Sequence, residues 1–283
     1  MGLAGAVCLL VLGAAGAVLC HATLHVRRID VSPLAFADVS RDVSIEARDG
    51  ARLRAWFLPA AQPSGRCVVI LHGIADSRTG AVGFAPMFRA SGYSVLTPDS
   101  RAHGTSGGEF VTYGLLEKYD ALDWAHWLRG AGCTAVYGLG ESLGAAVLIQ
   151  ASAVEPAFRA IVAECPFADL KTIAEYRVGQ MSHLPQPFPA IFVVAAMLYA
   201  RVADGLDLRQ VSPLAAIAKT STPVLLIHGL RDWRTPPWHS EALARANPHA
   251  VLWLVPNAEH TGASSADPAK FRKRVLGWFA EHP

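Results

Sequence analysis

The chain has 283 residues, of which 52% are hydrophobic and 17% are charged, and this supplies enough apolar side chains for one large α/β core. The formal net charge is +2, and the Lys and Arg residues are scattered rather than gathered in a basic block. The composition and the lack of a DNA- or RNA-reading motif therefore exclude a nucleic-acid partner.

The first predicted element is an apolar run at the N-terminus. Residues 2–19 read GLAGAVCLLVLGAAGAVL and carry no charge. Because about 20 apolar residues suffice for a helix to cross a bilayer, residues 1–28 are expected to form a hydrophobic transmembrane anchor that holds the protein at a membrane, on a side that stays undecided. The alternatives are a signal segment, with export after cleavage, although no Lys or Arg precedes the run, and a buried helix.

The body of the chain, residues 35–283, alternates strand and helix patterns and is expected to be one catalytic domain. Two alternating segments on either side of Asp49-Gly50 predict a hairpin, and short continuous apolar runs predict strands buried on both faces. The predicted strands are Val43–Arg48, Leu53–Leu58, Cys67–Leu71, Tyr93–Leu96, Ala135–Leu139, Ala160–Ala163, Val224–Ile227 and Val251–Val255. With helical stretches between them, they imply an eight-stranded, mostly parallel sheet with helices on both faces.

One segment interrupts this alternation. Between about residues 170 and 220 no strand is predicted, and an apolar helix-like run covers residues 190–202 after a proline-rich turn. An insertion after the sixth strand would stand over the carboxyl edge of the sheet, where ligands bind in open α/β folds. We expect a helical lid that contacts substrate, with a helical layer that only packs on the core as the alternative. The apolar side chains expected to line the substrate site are Phe188, Phe192, Met197 and Tyr199.

A nucleophile is predicted from the segment Gly140-Glu141-Ser142-Leu143-Gly144, which joins a buried strand to an Ala-rich helix. A serine on such a sharp turn has an exposed hydroxyl, and the turn requires small residues beside it. The placement between strand and helix makes Ser142 the predicted nucleophile.

The base and the acid are expected further along the chain. Asp232 follows the seventh strand and His260 follows the eighth, in the order serine, acid, histidine that this type of site uses. Glu164 and Asp169, after the sixth strand, are the alternative acids. Of the other histidines, His228 is interpreted as a packing or turn residue, and His239 and His249 as surface residues.

An oxyanion hole is expected from two backbone N–H groups, those of Ile74 and Leu143. Ile74 follows Gly73 in the loop after the third strand, and Gly73 permits a tight turn there. His72 is expected to shape this loop rather than transfer protons.

Four sequence blocks carry a resemblance to a known family: LHGIADSR at 71–78, PDSRAHGTSGG at 98–108, YGLGESLGAA at 137–146 and VLLIHGLRDWRTP at 224–236. They resemble the α/β-hydrolase superfamily over about residues 43–279. Within it, the chain looks like membrane-associated or exported hydrolases allied to the serine aminopeptidase group and the abhydrolase-domain lipid hydrolases. One departure is Ala102, where family members usually have Gly.

The resemblance implies hydrolysis through an acyl-enzyme on Ser142, with no metal and no cofactor. The apolar lid favours a small-molecule or lipid-like ester, so a serine hydrolase of the carboxylesterase or lipase type is expected. The alternatives are a depalmitoylase-like thioesterase, a serine aminopeptidase-like hydrolase and, from a different class, a membrane-tethered protein that binds without turnover.

The cysteines are the last feature of note. None of the five forms a C-x-x-C pair, and they are expected to be small buried hydrophobic residues, with a disulfide or a reactive thiol as the alternative.

Overall fold

The computed structural model describes residues 3–32 and 40–283, and in these ranges eight strands form one sheet. The strands are β1 (Arg41–Glu46), β2 (Arg52–Leu58), β3 (Arg66–Leu71), β4 (Tyr93–Pro98), β5 (Ala135–Glu141), β6 (Ile161–Glu164), β7 (Val224–Gly229) and β8 (Val251–Val255). The helices are α1 (Leu3–Leu24), α2 (Arg78–Ala81), α3 (Ala85–Arg89), α4 (Glu117–Gly130), α5 (Leu143–Ser152), α6 (Leu170–Ser182), α7 (Phe188–Ala203), α8 (Pro213–Ile217), α9 (Trp238–Ala246), α10 (Ala263–Ala266) and α11 (Pro268–Ala280). The boundary expected at residue 35 lies outside the described residues.

The strands lie in the order β1-β2-β4-β3-β5-β6-β7-β8. Strand β2 runs antiparallel to β1 and to β4, and every other neighbouring pair is parallel. The predicted mostly parallel sheet is therefore confirmed. Because parallel strands end at the same edge, the loops after β3, β5, β6, β7 and β8 meet there.

Side chains of the central strands alternate between two hydrophobic cores, one on each face of the sheet. In β3, Val69 and Leu71 belong to the core that α4 and α5 cover, and Val68 and Ile70 to the core that α3 and α11 cover. Each such aliphatic side chain contributes about 1.5–3 kcal/mol when it is fully buried. Helices on both faces thus make the sheet a stiff support for its loops.

The segment between β6 and β7 contains α6, α7 and α8, so the predicted helical insertion is present. Helix α7 directs Val193, Met197 and Ala200 into the core, while Val194 and Leu198 on its other side are exposed. This helix therefore packs on the domain along one face and leaves an apolar face open.

The N-terminal run forms α1, and the prediction of a membrane anchor is wrong. In residues 3–32 and 40–283, no helix combines the length and the apolar character needed to cross a bilayer. Helix α1 packs instead against α7: a Cβ atom added to Gly16 would lie 2.8 Å from the backbone carbonyl carbon of Ala195, and Cys20 and Leu24 are buried in the core. The expected transmembrane helix and the membrane-anchored location are thus overturned, and a helix packed on the domain agrees with the structure.

Polar contacts also join the end of α1 to the body of the protein. The Leu24 carbonyl accepts a hydrogen bond from the Val111 amide at 2.9 Å, and the Thr23 carbonyl accepts one from the Tyr113 hydroxyl at 2.8 Å. Just beyond the helix, the Arg28 guanidinium donates to several carbonyl oxygens of residues 103–108, Ser106 among them. Residues 23–28 are therefore tied to the body of the protein by hydrogen bonds.

The expectation for the cysteines is wrong for one pair. Cys67 and Cys133 form a disulfide with their Cα atoms 5.9 Å apart, whereas Cys20 and Cys165 are free and buried, as expected. The disulfide links the beginning of β3 to the residues just before β5. Because these strands are neighbours only in the folded sheet, the separation of 66 residues along the chain conceals the pairing.

Candidate active site

Ser142 lies at the junction of β5 and α5 on a strained turn. Its φ angle is +51°, in the left-handed region that non-glycine residues rarely adopt. A Cβ atom on Gly140 would lie 2.4 Å from the Gly144 carbonyl carbon, and one on Gly144 would lie 2.3 Å from the Leu71 oxygen. The two glycines are therefore required for the strand, the turn and the helix to approach so closely.

The structure brings the three predicted catalytic side chains together. Ser142 Oγ lies 2.9 Å from His260 Nε2, and His260 Nδ1 lies 2.6 Å from Asp232 Oδ2. With the proton on Nδ1, the histidine donates to the carboxylate, and Nε2 accepts a hydrogen bond from the serine hydroxyl. The arrangement can remove a proton from Ser142 and place it on His260.

The Asp232 carboxylate is held as an anion. Its burial alone would raise its pKa, but hydrogen bonds from His228 and His260 lower the pKa well below the ordinary value. Its other oxygen accepts hydrogen bonds from the Arg234 and Thr235 amides, both at 2.9 Å. A fixed negative charge therefore faces the imidazole and stabilises the cation that forms when His260 takes a proton.

The alternative acids are engaged elsewhere. Glu164 Oε1 accepts a hydrogen bond from the Ala263 amide at 2.8 Å. Asp169 caps α6 by accepting one from the Thr172 amide at 3.2 Å. The carboxylate that contacts His260 is that of Asp232.

The remaining histidines differ from one another. His228 is buried, with Nδ1 2.6 Å from Ser240 Oγ and Nε2 2.7 Å from the Thr235 carbonyl. Its Nε2 also lies 3.3 Å from Asp232 Oδ2, so this histidine contacts the acid as well as packing beneath the loop. His249 is exposed, as expected. His239 is buried, so its interpretation as a surface residue is wrong; burial and the nearby His228 lower its pKa to about 3.

The loop after β3 runs beside the serine. A Cβ atom on Gly73 would lie 3.6 Å from Ser142 Cβ, which places the peptide that leads to Ile74 next to the turn. Leu143 is the first residue of α5, where backbone N–H groups have no partner within the helix. The positions of Ile74 and Leu143 fit an oxyanion hole, and their role stays a prediction.

Histidine side chains shape this loop. His72 Nδ1 donates to the Gly73 carbonyl at 2.7 Å, and its Nε2 accepts from the Ser100 amide at 3.0 Å. His103 Nε2 accepts from the Ala75 amide at 3.1 Å. Both histidines are buried, so they hold the loop rather than face a substrate.

The four predicted lid residues lie along α7 in different surroundings. Phe188 and Tyr199 are exposed, Phe192 is half-buried, and Met197 is buried in the core. Their contact with substrate stays a prediction, and the exposed aromatic side chains are the ones free to make it.

Sequence reasoning missed a pair of neighbouring carboxyl groups beside Ser142, of which Glu141 is half-buried and Glu164 is buried. Glu141 and Glu164 are direct neighbours across β5 and β6. Burial and then the charge of Glu164 raise the pKa of Glu141 to about 8, and burial raises that of Glu164 to about 7. In the sequence, the only indication of this pair is that each residue ends a buried strand. Their pairing depends on the order of the strands in the sheet.

In the described part of the chain, one cluster has metal-ligating atoms close together: Cys165, His228 and Asp232, within 4.8 Å. Their atoms already make hydrogen bonds; Cys165 Sγ accepts one from the Thr261 amide at 3.4 Å. The cluster therefore supports the loops that carry Asp232 and His260, and the expectation of no metal and no cofactor stays a prediction.

Sequence comparisons relate the chain to one family. The model described as "Alpha/beta hydrolase family" matches residues 68–274. The uncharacterized protein YqkD of Bacillus subtilis (strain 168) is 31% identical over 216 residues, which cover 74% of this chain and 69% of YqkD. The uncharacterized protein YfhR of Escherichia coli (strain K12) is 26% identical over 235 residues, which cover 80% of this chain and 75% of YfhR.

Solved structures share the fold. The Pyrococcus furiosus esterase Pf2001 superposes with a TM-score of 0.73 at 24% identity, covering 91% of this chain and 99% of the esterase. A Mycobacterium tuberculosis puromycin-hydrolyzing peptidase gives a TM-score of 0.70 at 19% identity, covering 90% of this chain and 41% of the peptidase. At these identities the likeness extends to the fold and not to a substrate.

Proposed function

Because the chain belongs to the alpha/beta hydrolase family, we propose that it is a serine hydrolase that cleaves carboxylic esters with a hydrophobic acyl or alcohol group. The observation that carries this proposal is the continuous contact from Ser142 through His260 to Asp232. A hydroxyl, an imidazole and a buried carboxylate in this order form the set that nucleophilic acyl transfer requires.

In the first half of the reaction, His260 Nε2 takes the proton of Ser142 as Oγ attacks the ester carbonyl carbon. The carbonyl oxygen becomes an oxyanion, which the backbone N–H groups of Ile74 and Leu143 would stabilise. The tetrahedral species collapses, the bond to the alcohol oxygen breaks, and the alcohol leaves with the proton from His260. An acyl group then remains on Ser142.

In the second half, a water molecule gives its proton to His260 and attacks the acyl carbon. The bond to Ser142 Oγ breaks, and the serine recovers its proton from His260. The products are one carboxylic acid and one alcohol. The Asp232 charge stabilises the imidazolium in both halves without accepting a proton.

The preference for hydrophobic esters rests on α7, which presents Phe188, Ile191, Val194 and Leu198 as exposed apolar side chains. Such side chains favour an apolar acyl or alcohol chain because its burial removes nonpolar surface from water. Esters also need less help with the leaving group than amides do.

The test is turnover of p-nitrophenyl esters of increasing acyl length by the full chain, in parallel with Ser142→Ala. A thioester and an amino-acid anilide of similar size are included to compare the three leaving groups. Ser44→Ala, an exposed serine on β1, is the matched control. Labelling by a fluorophosphonate reports the reactivity of the serine separately from substrate choice.

We expect the wild type to hydrolyse the esters. Ser142→Ala should abolish this activity, and Ser44→Ala should retain it. Labelling without ester hydrolysis would reject the substrate class and keep the nucleophile. Equal hydrolysis by wild type and Ser142→Ala would reject the mechanism.

A further inference from the structure

An exposed tryptophan lies next to the proposed catalytic acid. Trp233 directly follows Asp232 in the chain, and 55% of its surface is exposed. Its carbonyl accepts a hydrogen bond from the Tyr176 hydroxyl of α6 at 3.0 Å, and Gln180, also on α6, donates to the same hydroxyl at 2.6 Å. The ring therefore stands where the insertion meets the acid loop, at the sheet edge that carries Ser142.

Two guanidinium groups lie close to this ring. The Cζ atom of Arg177 on α6 is 5.3 Å from the ring centroid of Trp233, and that of Arg234 is 5.6 Å away. Both are within the range of a cation–π contact. One cation comes from the insertion and the other from the acid loop, so the ring joins two segments that are distant in sequence.

Neither guanidinium has a carboxylate partner among the residues that the structure describes. The hydrogen bond made by the Arg177 guanidinium goes to a neutral acceptor, Gln180 Oε1, at 3.2 Å, and Asp232 is already occupied by two histidines and two amides. By contrast, the buried Arg101 forms an ion pair with Asp120 at 2.7 Å. Two like charges around one ring, neither of them paired with a carboxylate in the described residues, make this surface attractive to an anion.

We propose that Trp233, Arg177 and Arg234 form a subsite for an anionic group of the substrate, a carboxylate or a phosphate. The guanidinium groups donate charge-assisted hydrogen bonds to the anion, and the indole packs against the carbon chain that leads to the ester. The inference rests on the proposed ester hydrolysis and adds to it that the preferred ester carries a negative charge away from the bond that is cleaved.

The experiment compares esters that differ only in charge. For the full chain, kcat/KM is measured with p-nitrophenyl hexanoate and with p-nitrophenyl hydrogen adipate, which has the same acyl length and one free carboxylate. A second pair, a monoacylglycerol and the corresponding acylglycerol 3-phosphate, tests phosphate. The variants are Arg177→Gln, Arg234→Gln and the double variant, and Arg272→Gln on α11 is the control with the same loss of charge.

We expect the wild type to prefer the anionic ester of at least one pair by roughly tenfold, as an order of magnitude for charge-assisted hydrogen bonds. The single variants lower this ratio, the double variant abolishes it, and Arg272→Gln keeps it. A preference confined to one pair identifies the anion as carboxylate or phosphate. Equal kcat/KM within both pairs, or a preference that survives in the double variant, overturns the subsite.

A binding measurement separates this inference from the proposed function. Calorimetry on Ser142→Ala compares monomethyl adipate with methyl hexanoate, and glycerol 3-phosphate with glycerol. Selective binding of an anion supports the subsite even if no ester is hydrolysed. The absence of ester hydrolysis would then reject only the proposed function. Ester hydrolysis without anion selectivity in either measurement rejects only the subsite.

Discussion

The carboxyl edge of the sheet and the helical side formed by α1 and α7 are built by different interactions. At the sheet edge, Ser142, His260 and Asp232 are held by hydrogen bonds and by a backbone turn with φ of +51°. At the helical side, α1 and α7 meet through apolar contacts and one close approach at Gly16. The first region depends on the direction and length of hydrogen bonds, whereas the second depends on how closely two apolar helix surfaces fit together.

The largest effect is expected at the sheet edge. Ser142→Ala should lower kcat/KM for esters by at least about 10³-fold, because removal of one member of a catalytic set removes most of its effect. The folded state should be no less stable, since the change deletes only a hydroxyl. Ester kinetics and a thermal melt check both statements, and a large fall in the melting temperature together with retained activity would contradict them.

The disulfide tests the support beneath this edge. Replacing Cys67 and Cys133 by Ser should lower the free energy of unfolding by about 2–4 kcal/mol, because the cross-link restricts the unfolded chain. Denaturant unfolding of the oxidised wild type and of the double variant gives the difference. A reducing agent should lower the stability of the wild type and leave the double variant unchanged, and equal stability under all conditions would show that the bond contributes nothing.

The helical side is tested by Gly16→Val. A side chain at this position overlaps the Ala195 backbone, so the two helices must separate, at a cost of about 1–3 kcal/mol. Gly13→Val is the control on the same helix, because a Cβ atom there meets nothing within 4 Å. Chemical denaturation should show a loss for the first variant only, and a similar loss for both would indicate an effect of helix propensity instead.

The smallest effect is a pH dependence of stability that originates at the sheet edge. The pKa of Glu141 rises to about 8 on folding, so the folded state favours the protonated carboxyl. The contribution of Glu141 to the free energy of unfolding is therefore complete at pH values below its unfolded pKa, and it is lost as the pH increases towards 8. The melting temperature of the wild type should therefore fall between about pH 5 and pH 8, and that of Glu141→Gln should fall less, by a few degrees.

Glu46→Gln provides the control for this pH series, since Glu46 is an exposed carboxylate on β1. Its melting curve should follow that of the wild type at every pH. Parallel curves for all three proteins would show that Glu141 does not couple folding to pH.

Much of the fold followed from local patterns. Continuous apolar runs predicted buried strands such as β3 and β7, and the glycines around Ser142 predicted a tight turn between strand and helix. These features depend on neighbouring residues, so they can be recognised without knowledge of the strand order. The order of Ser142, Asp232 and His260 along the chain was equally visible, and the structure places the three side chains in contact.

By itself, then, the sequence determined the α/β class, the strands and the candidate catalytic side chains, because backbone periodicity and loop position are local properties. Only the tertiary structure decided the cysteine pairing, the position of Glu141 beside Glu164 and the cationic surroundings of Trp233. The N-terminal run shows the difference most clearly: its uncharged sequence predicted a membrane helix, whereas the structure packs it against α7, with Gly16 close to the backbone of Ala195. Such contacts depend on distances between residues that are far apart in the chain, and neither the composition nor the spacing of residues reports those distances.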